Sequence, residues 1–123
     1  MNHAYANAQN VYKNNQVTTA PKKKLLIMLY DGAIKNLKLA INAIEEKDNQ
    51  VSNTNIIKAQ NIIMELMHTL DFEAGGEIAN NLYQLYDYMY LKLVKANTSK
   101  DTKGIKEVIK YLEDLRNTWE QIR

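Results

Sequence analysis

The chain has 123 residues, a hydrophobic fraction of 46%, 16 basic against 14 acidic side chains, and no cysteine. That size and composition suit one globular domain able to bury its own core, and the missing thiols exclude disulfides, cysteine nucleophiles and thiolate metal sites. A net charge of +2 lacks the dense basic face that nucleic acid demands, and no apolar run reaches the roughly 18–20 residues of a membrane span, so neither nucleic-acid binding nor membrane insertion is expected.

The N-terminus, Met1-Asn2-His3-Ala4-Tyr5, has no basic stretch followed by an apolar one and does not read as a signal peptide. Residues 1–20 are rich in Asn, Gln, Thr and Ala, without a steady apolar period. They read as a mobile arm or a loosely attached short helix, whose larger apolar side chains are Tyr5, Val11, Tyr12 and Val17. Thr19 ahead of Pro21 marks a helix start, because threonine caps and the missing proline N–H is not needed in a first turn. The first helix is expected over 21–47, with Leu26, Tyr30, Ala33, Leu37, Ala40, Ile41 and Ile44 on one face. Asp48-Asn49-Gln50 ends it.

A second helix is expected over 55–71, capped by Ser52, Thr54 or Asn55, with a stripe of Ile56, Ala59, Ile63, Leu66, Met67 and Leu70. Phe72-Glu73-Ala74 then leads into Gly75-Gly76, which reads as a tight turn between helices. The third helix is expected over 77–97, with Ile78, Leu82, Leu85, Tyr86, Met89 and Leu93 inward. Thr98-Ser99-Lys100-Asp101 is a polar loop, with Asp101 or Thr102 as the next cap. The fourth helix runs from 103 to the C-terminus, with a stripe of Ile105, Val108, Ile109, Leu112, Leu115, Trp119 and Ile122. Four helices on short connections predict an all-α fold: an antiparallel up-down four-helix bundle over 21–123 with a flexible N-terminal arm over 1–20.

Three of the four helices carry more apolar surface than one core needs. Leu25, Met28 and Leu39 cluster on the first helix opposite its main stripe. Ile57 and Met64 stack at a seven-residue spacing on the second. Tyr83 and Tyr90 repeat that spacing on the third, with Val94 beside them. Contiguous exposed apolar area marks a contact surface, and Met and Tyr suit adaptable docking. A groove between two such helices can hold an amphipathic partner. The competing reading is a buried, irregular core that absorbs these ridges.

Chemistry is sparse. His3 lies in the arm. His68 has only Glu65 and Asp71 near it, and Glu65-x-x-His68 is half of a di-iron bundle pattern with no second half in the chain. Asp71 and Glu73 form no convincing acid–base pair, and Gly75-Gly76 lacks a phosphate-loop context. Neither catalysis, a metal nor any other cofactor is expected.

Four stretches resemble the FliS family of flagellar export chaperones. They are Thr19-Ala20-Pro21 with Leu25 and Leu29-Tyr30-Asp31-Gly32-Ala33-Ile34; Lys58-Ala59-Gln60 with Ile62-Ile63 and Glu65-Leu66; Leu70-Asp71 through Gly75-Gly76-Glu77-Ile78-Ala79 and Asn81-Leu82 to Leu85-Tyr86-Asp87-Tyr88-Met89; and Ala96-Asn97 with the late Trp119. The resemblance spans essentially the whole chain and is weakest in the arm and at 48–54. It implies a cytosolic bundle that binds the C-terminal segment of flagellin, prevents early polymerisation and delivers it to the export gate protein FlhA. Some members also contact the anti-sigma factor FlgM. On this resemblance the expected client contacts are Leu25, Met28, Ile57, Gln60, Asn61, Met64, Tyr83 and Tyr90, with Gln60 and Asn61 hydrogen-bonding the client backbone. Tyr5, Tyr12 and Val17 are the expected displaceable lid. The alternative function is a non-catalytic bundle that self-associates through the same ridges, as a homodimer or a filament component.

Overall fold

In a computed structural model the described residues, 19–122, form four helices and no strand. The N-terminal arm and its Tyr5, Tyr12 and Val17 lie outside the described residues. The helices are α1 (Thr19–Glu45), α2 (Asn49–His68), α3 (Phe72–Ser99) and α4 (Thr102–Gln121). Each packs on its chain neighbours, and α1 closes the ring against α4.

The apolar periods explain this packing. Leu26, Tyr30, Ala33, Leu37 and Ala40 of α1 are buried, as are Ile56, Ala59, Ile63 and Leu66 of α2. Tyr86, Met89, Leu93 and Ala96 of α3 meet Ile105, Val108, Ile109 and Leu112 of α4 in the same cluster. Removing a CH₂ from water contributes about 0.8 kcal/mol, so these side chains dominate the stability. Gly32 permits a close approach of α1 to α2: a Cβ there would sit 3.3 Å from Ile62 Cδ1.

Polar contacts show which ends meet. Lys23 Nζ donates to the Ile122 carbonyl at 2.6 Å and to the Glu120 carbonyl at 3.2 Å, placing a cation at the negative C-terminus of α4. Further along α1, Asp31 pairs with Arg116 and Lys38 with Glu113. Asn97 near the end of α3 donates to Asn53 near the start of α2, at 2.6 Å. Tyr88 and Lys92 of α3 both reach Glu107 of α4.

Two helix starts differ most from expectation. The second helix begins at Asn49, six residues early, because the Asp48 carboxylate accepts from Val51 N and caps it. Ser52 and Asn55, expected as caps, instead lie inside the helix and bond back to the Asn49 and Val51 carbonyls. Gly75-Gly76 does not separate two elements. Helix α3 starts at Phe72, behind an Asp71 cap, and is broken internally at Gly76, which has φ 53° and ψ −123°. Just past this break, Ile78 is 70% exposed rather than part of the core, and Ala79 takes the inward position.

The turn after α1 passes through a left-handed Lys47 (φ 62°), a conformation that costs a side-chain-bearing residue roughly 1 kcal/mol or more. Lys47→Gly should relieve that cost and lose part of it to the freer unfolded chain, a net gain of about 0.5 kcal/mol. Urea unfolding checks this through a higher midpoint at unchanged slope.

Candidate protein-docking surface

Helical arithmetic around the Asn53–Asn97 bond locates the surplus ridges. At 100° per residue, Asn53, Gln60, Ile57 and Met64 fall within about 60° of one another on α2. On α3, Asn97, Tyr90, Tyr83 and Val94 likewise fall within about 60°. Since Asn53 and Asn97 meet across the helix pair, both ridges front the α2–α3 seam. Ile57 is 42% and Met64 41% exposed, and Tyr83 and Val94 are similarly open. Tyr90 is partly buried against the core. The result is an apolar strip with asparagines at one end.

Four expected members sit differently. Gln60 is buried at 9% exposure, because its position turns into the seam; it is not displayed on the surface as the sequence reading had it. Leu25 is half-buried and Met28 is 62% exposed, but they share the side of α1 that carries Gly32, whose neighbour is Ile62 of α2. With exposed Leu39 they follow the α1–α2 seam. The exposed Asn61 belongs to the polar outer strip of α2, with Thr54, Lys58 and Glu65. That strip separates the two apolar seams, so the eight residues do not form one patch.

Phe72 was missed by the sequence reading. Its half-exposed ring packs edge-on to Tyr83, with centroids 6.0 Å apart and planes at 64°. The eleven-residue offset from Tyr83 is a same-face spacing, but the glycine pair between them suggested separate elements. Tyr88 and Leu91 are also exposed. The Tyr88 hydroxyl donates to Glu107 Oε2 at 2.8 Å, and that bond, helped by Lys92, holds the Glu107 carboxyl below its ordinary pKa.

A cleft of about 210 Å³ opens where α1 and α3 begin and α2 and α4 finish, lined in part by Lys22, Leu26, Leu70, Ile78, Tyr86 and Trp119. Beneath it the Tyr30 and Tyr86 hydroxyls share a buried 2.6 Å hydrogen bond. Burial pushes the pKa of both phenols up. At Tyr30 the rise is tempered by the Tyr86 hydroxyl and the Trp119 indole, whereas Tyr30 raises Tyr86 further. Among the described residues no three His, Cys, Asp or Glu side chains gather as a metal site, and no helix is long and apolar enough to cross a membrane.

Fold and surface together define an all-helical domain with apolar seams outside its core. The family described as Flagellar protein FliS matches residues 4–123. The chain is 43% identical over 118 residues to the flagellar secretion chaperone FliS of Bacillus subtilis (strain 168), covering 96% of this chain and 87% of that one. It is 40% identical over 120 residues to the FliS of Salmonella typhimurium (strain LT2), covering 97% and 87%. It is also 39% identical over 114 residues to the chaperone FliSB of Pseudomonas aeruginosa, covering 93% and 90%. The chain belongs to the FliS family.

Proposed function

We propose that this chain is a flagellar secretion chaperone that holds the C-terminal segment of flagellin in the cytosol, prevents its early polymerisation and delivers it to the export gate. The observation that carries the proposal is the exposed apolar strip Ile57–Met64 and Tyr83–Val94 along the α2–α3 seam, in a chain 43% identical to a flagellar secretion chaperone. A disordered client loses entropy when it docks, so it needs a large apolar footprint to compensate. Methionine adapts to such a segment, and tyrosine adds area with a polar tip at low entropy cost. Masking a polymerising segment requires no catalytic group.

The client contacts in this reading are Ile57, Met64, Tyr83 and Tyr90, with Gln60 lining the base of the seam. Leu25 and Met28 serve a second stretch of client or another partner, and Asn61 offers a hydrogen bond between the two seams. The helices are read as an antiparallel up-down bundle, supported by Lys23 meeting Ile122 while Lys38 meets Glu113. The arm reading of residues 1–20 is narrowed at its end, because Thr19 and Ala20 belong to α1; Tyr5, Tyr12 and Val17 are proposed to cover the client surface until it is occupied. FlhA is the receiving gate protein and FlgM a further partner.

Light scattering of flagellin under polymerising conditions tests the reading. An equimolar amount of the chain should suppress filament growth. Growth at the rate of flagellin alone would overturn it.

A further inference from the structure

The first turn of α3 folds back on its own helix. In an unbroken helix Phe72 and Tyr83 would stand about 16 Å apart along the axis, with both side chains leaning towards the N-terminus. Their rings are nevertheless 6.0 Å apart. The break at Gly76 brings them together. Its φ of 53° with ψ of −123° belongs to a region that L side chains rarely occupy. A Cβ at Gly76 would meet nothing within 4 Å, so glycine serves the backbone angle there and not a tight space. At Gly75 the opposite holds: a Cβ would come within 2.9 Å of Ala79 Cβ.

Asp71 caps the turn through Ala74 N at 3.1 Å. Residues 71–74 and 76–78 are exposed, Ile78 most of all. A segment with so few buried contacts opens at low cost. Its Phe72 ring rests on Tyr83, a member of the α2–α3 strip.

We propose that the first turn of α3, hinged at Gly76, is a self-docked cover whose Phe72 ring occupies the Tyr83 end of the α2–α3 seam and must swing away when a client docks. This rests on the reading of that seam as the client surface. Phe72 then competes with the client, and the contact sets a threshold rather than adding affinity. Edge-on aromatic pairs are weak enough that the threshold is about two- to tenfold in affinity.

The test compares the full chain with Phe72→Ala and with Gly76→Ala, which keeps the ring and disfavours the folded-back backbone. Circular dichroism first establishes that both are folded. Titrated with a flagellin C-terminal peptide, each variant should bind about two- to tenfold more tightly, with faster association. Unchanged or weaker binding in either variant overturns the cover, weaker binding by Phe72→Ala making the ring part of the docking floor. An anilinonaphthalene sulfonate dye provides an arm that needs no client. Its fluorescence should rise in both variants, and no rise overturns the cover. A wild-type chain that ignores the peptide sinks the client reading alone, and the dye then decides the cover.

Discussion

Ile57→Glu should weaken binding of the flagellin C-terminal segment by roughly 30-fold or more, about 2 kcal/mol, the loss expected when a charge enters an apolar docking strip. Helix content should not change. Ile57 stands 42% open to solvent, and a substitution on a helix surface away from caps and core shifts stability by about 0.5 kcal/mol at most. Binding and folding are therefore separable at this position, and calorimetric titration beside circular dichroism reads both. A fall in helicity would place Ile57 in the core. Intact helicity with intact binding would move the client off the α2–α3 seam. Lys58→Glu, on the polar strip of α2, is the matched control and should leave binding within about twofold, as rim charges contribute little.

The Tyr30–Tyr86 pair carries the largest effect on stability. Tyr86→Ala should cost about 3–5 kcal/mol, through a cavity amid a fully packed cluster. Tyr86→Phe keeps the ring and removes one hydroxyl, leaving Tyr30 without its 2.6 Å partner, which should cost about 1–3 kcal/mol. In a domain of this size each kcal/mol lowers Tm by roughly 4 °C. The double variant Tyr30→Phe with Tyr86→Phe should be less destabilised than the sum of the two singles, because both ends of the bond disappear together. Additive losses would mean that the hydroxyls act independently. The pair also has a pH signature. Both phenols have pKa values raised above the ordinary value, chiefly by burial, so their contribution is complete below an unfolded tyrosine pKa of about 10 and is lost as pH rises beyond it. Alkaline unfolding of the double variant should consequently be less steep.

Much of the fold was legible because a helix core writes itself at a fixed period. Tyr30, Leu37, Ile63, Met89 and Leu112 were all placed inward by 100° spacing, and all are fully buried. Boundaries were less legible, since several residues near 48–55 can cap and only geometry chooses Asp48. Ile78 had the right phase for the core but sits just past a backbone break that the phase argument does not see. Gly75-Gly76 advertised that break without revealing that the preceding turn belongs to the same helix and folds back on it.

For the docking surface, seven-residue spacings identified Ile57 with Met64 and Tyr83 with Tyr90. What they could not supply was the pairing of helices. Only the Asn53–Asn97 contact brings those two ridges to one seam, while the Gly32–Ile62 approach assigns Leu25 and Met28 to another. The burial of Gln60 follows from the same pairing: its neighbour in space is α3, which its own helix does not announce.

Isothermal titration of the full chain with a synthetic flagellin C-terminal segment measures the central claim. It should give saturable one-to-one binding with a negative heat-capacity change, the mark of apolar burial. No heat at any concentration reached, with flagellin's elution unshifted on a sizing column in the presence of the chain, would contradict it.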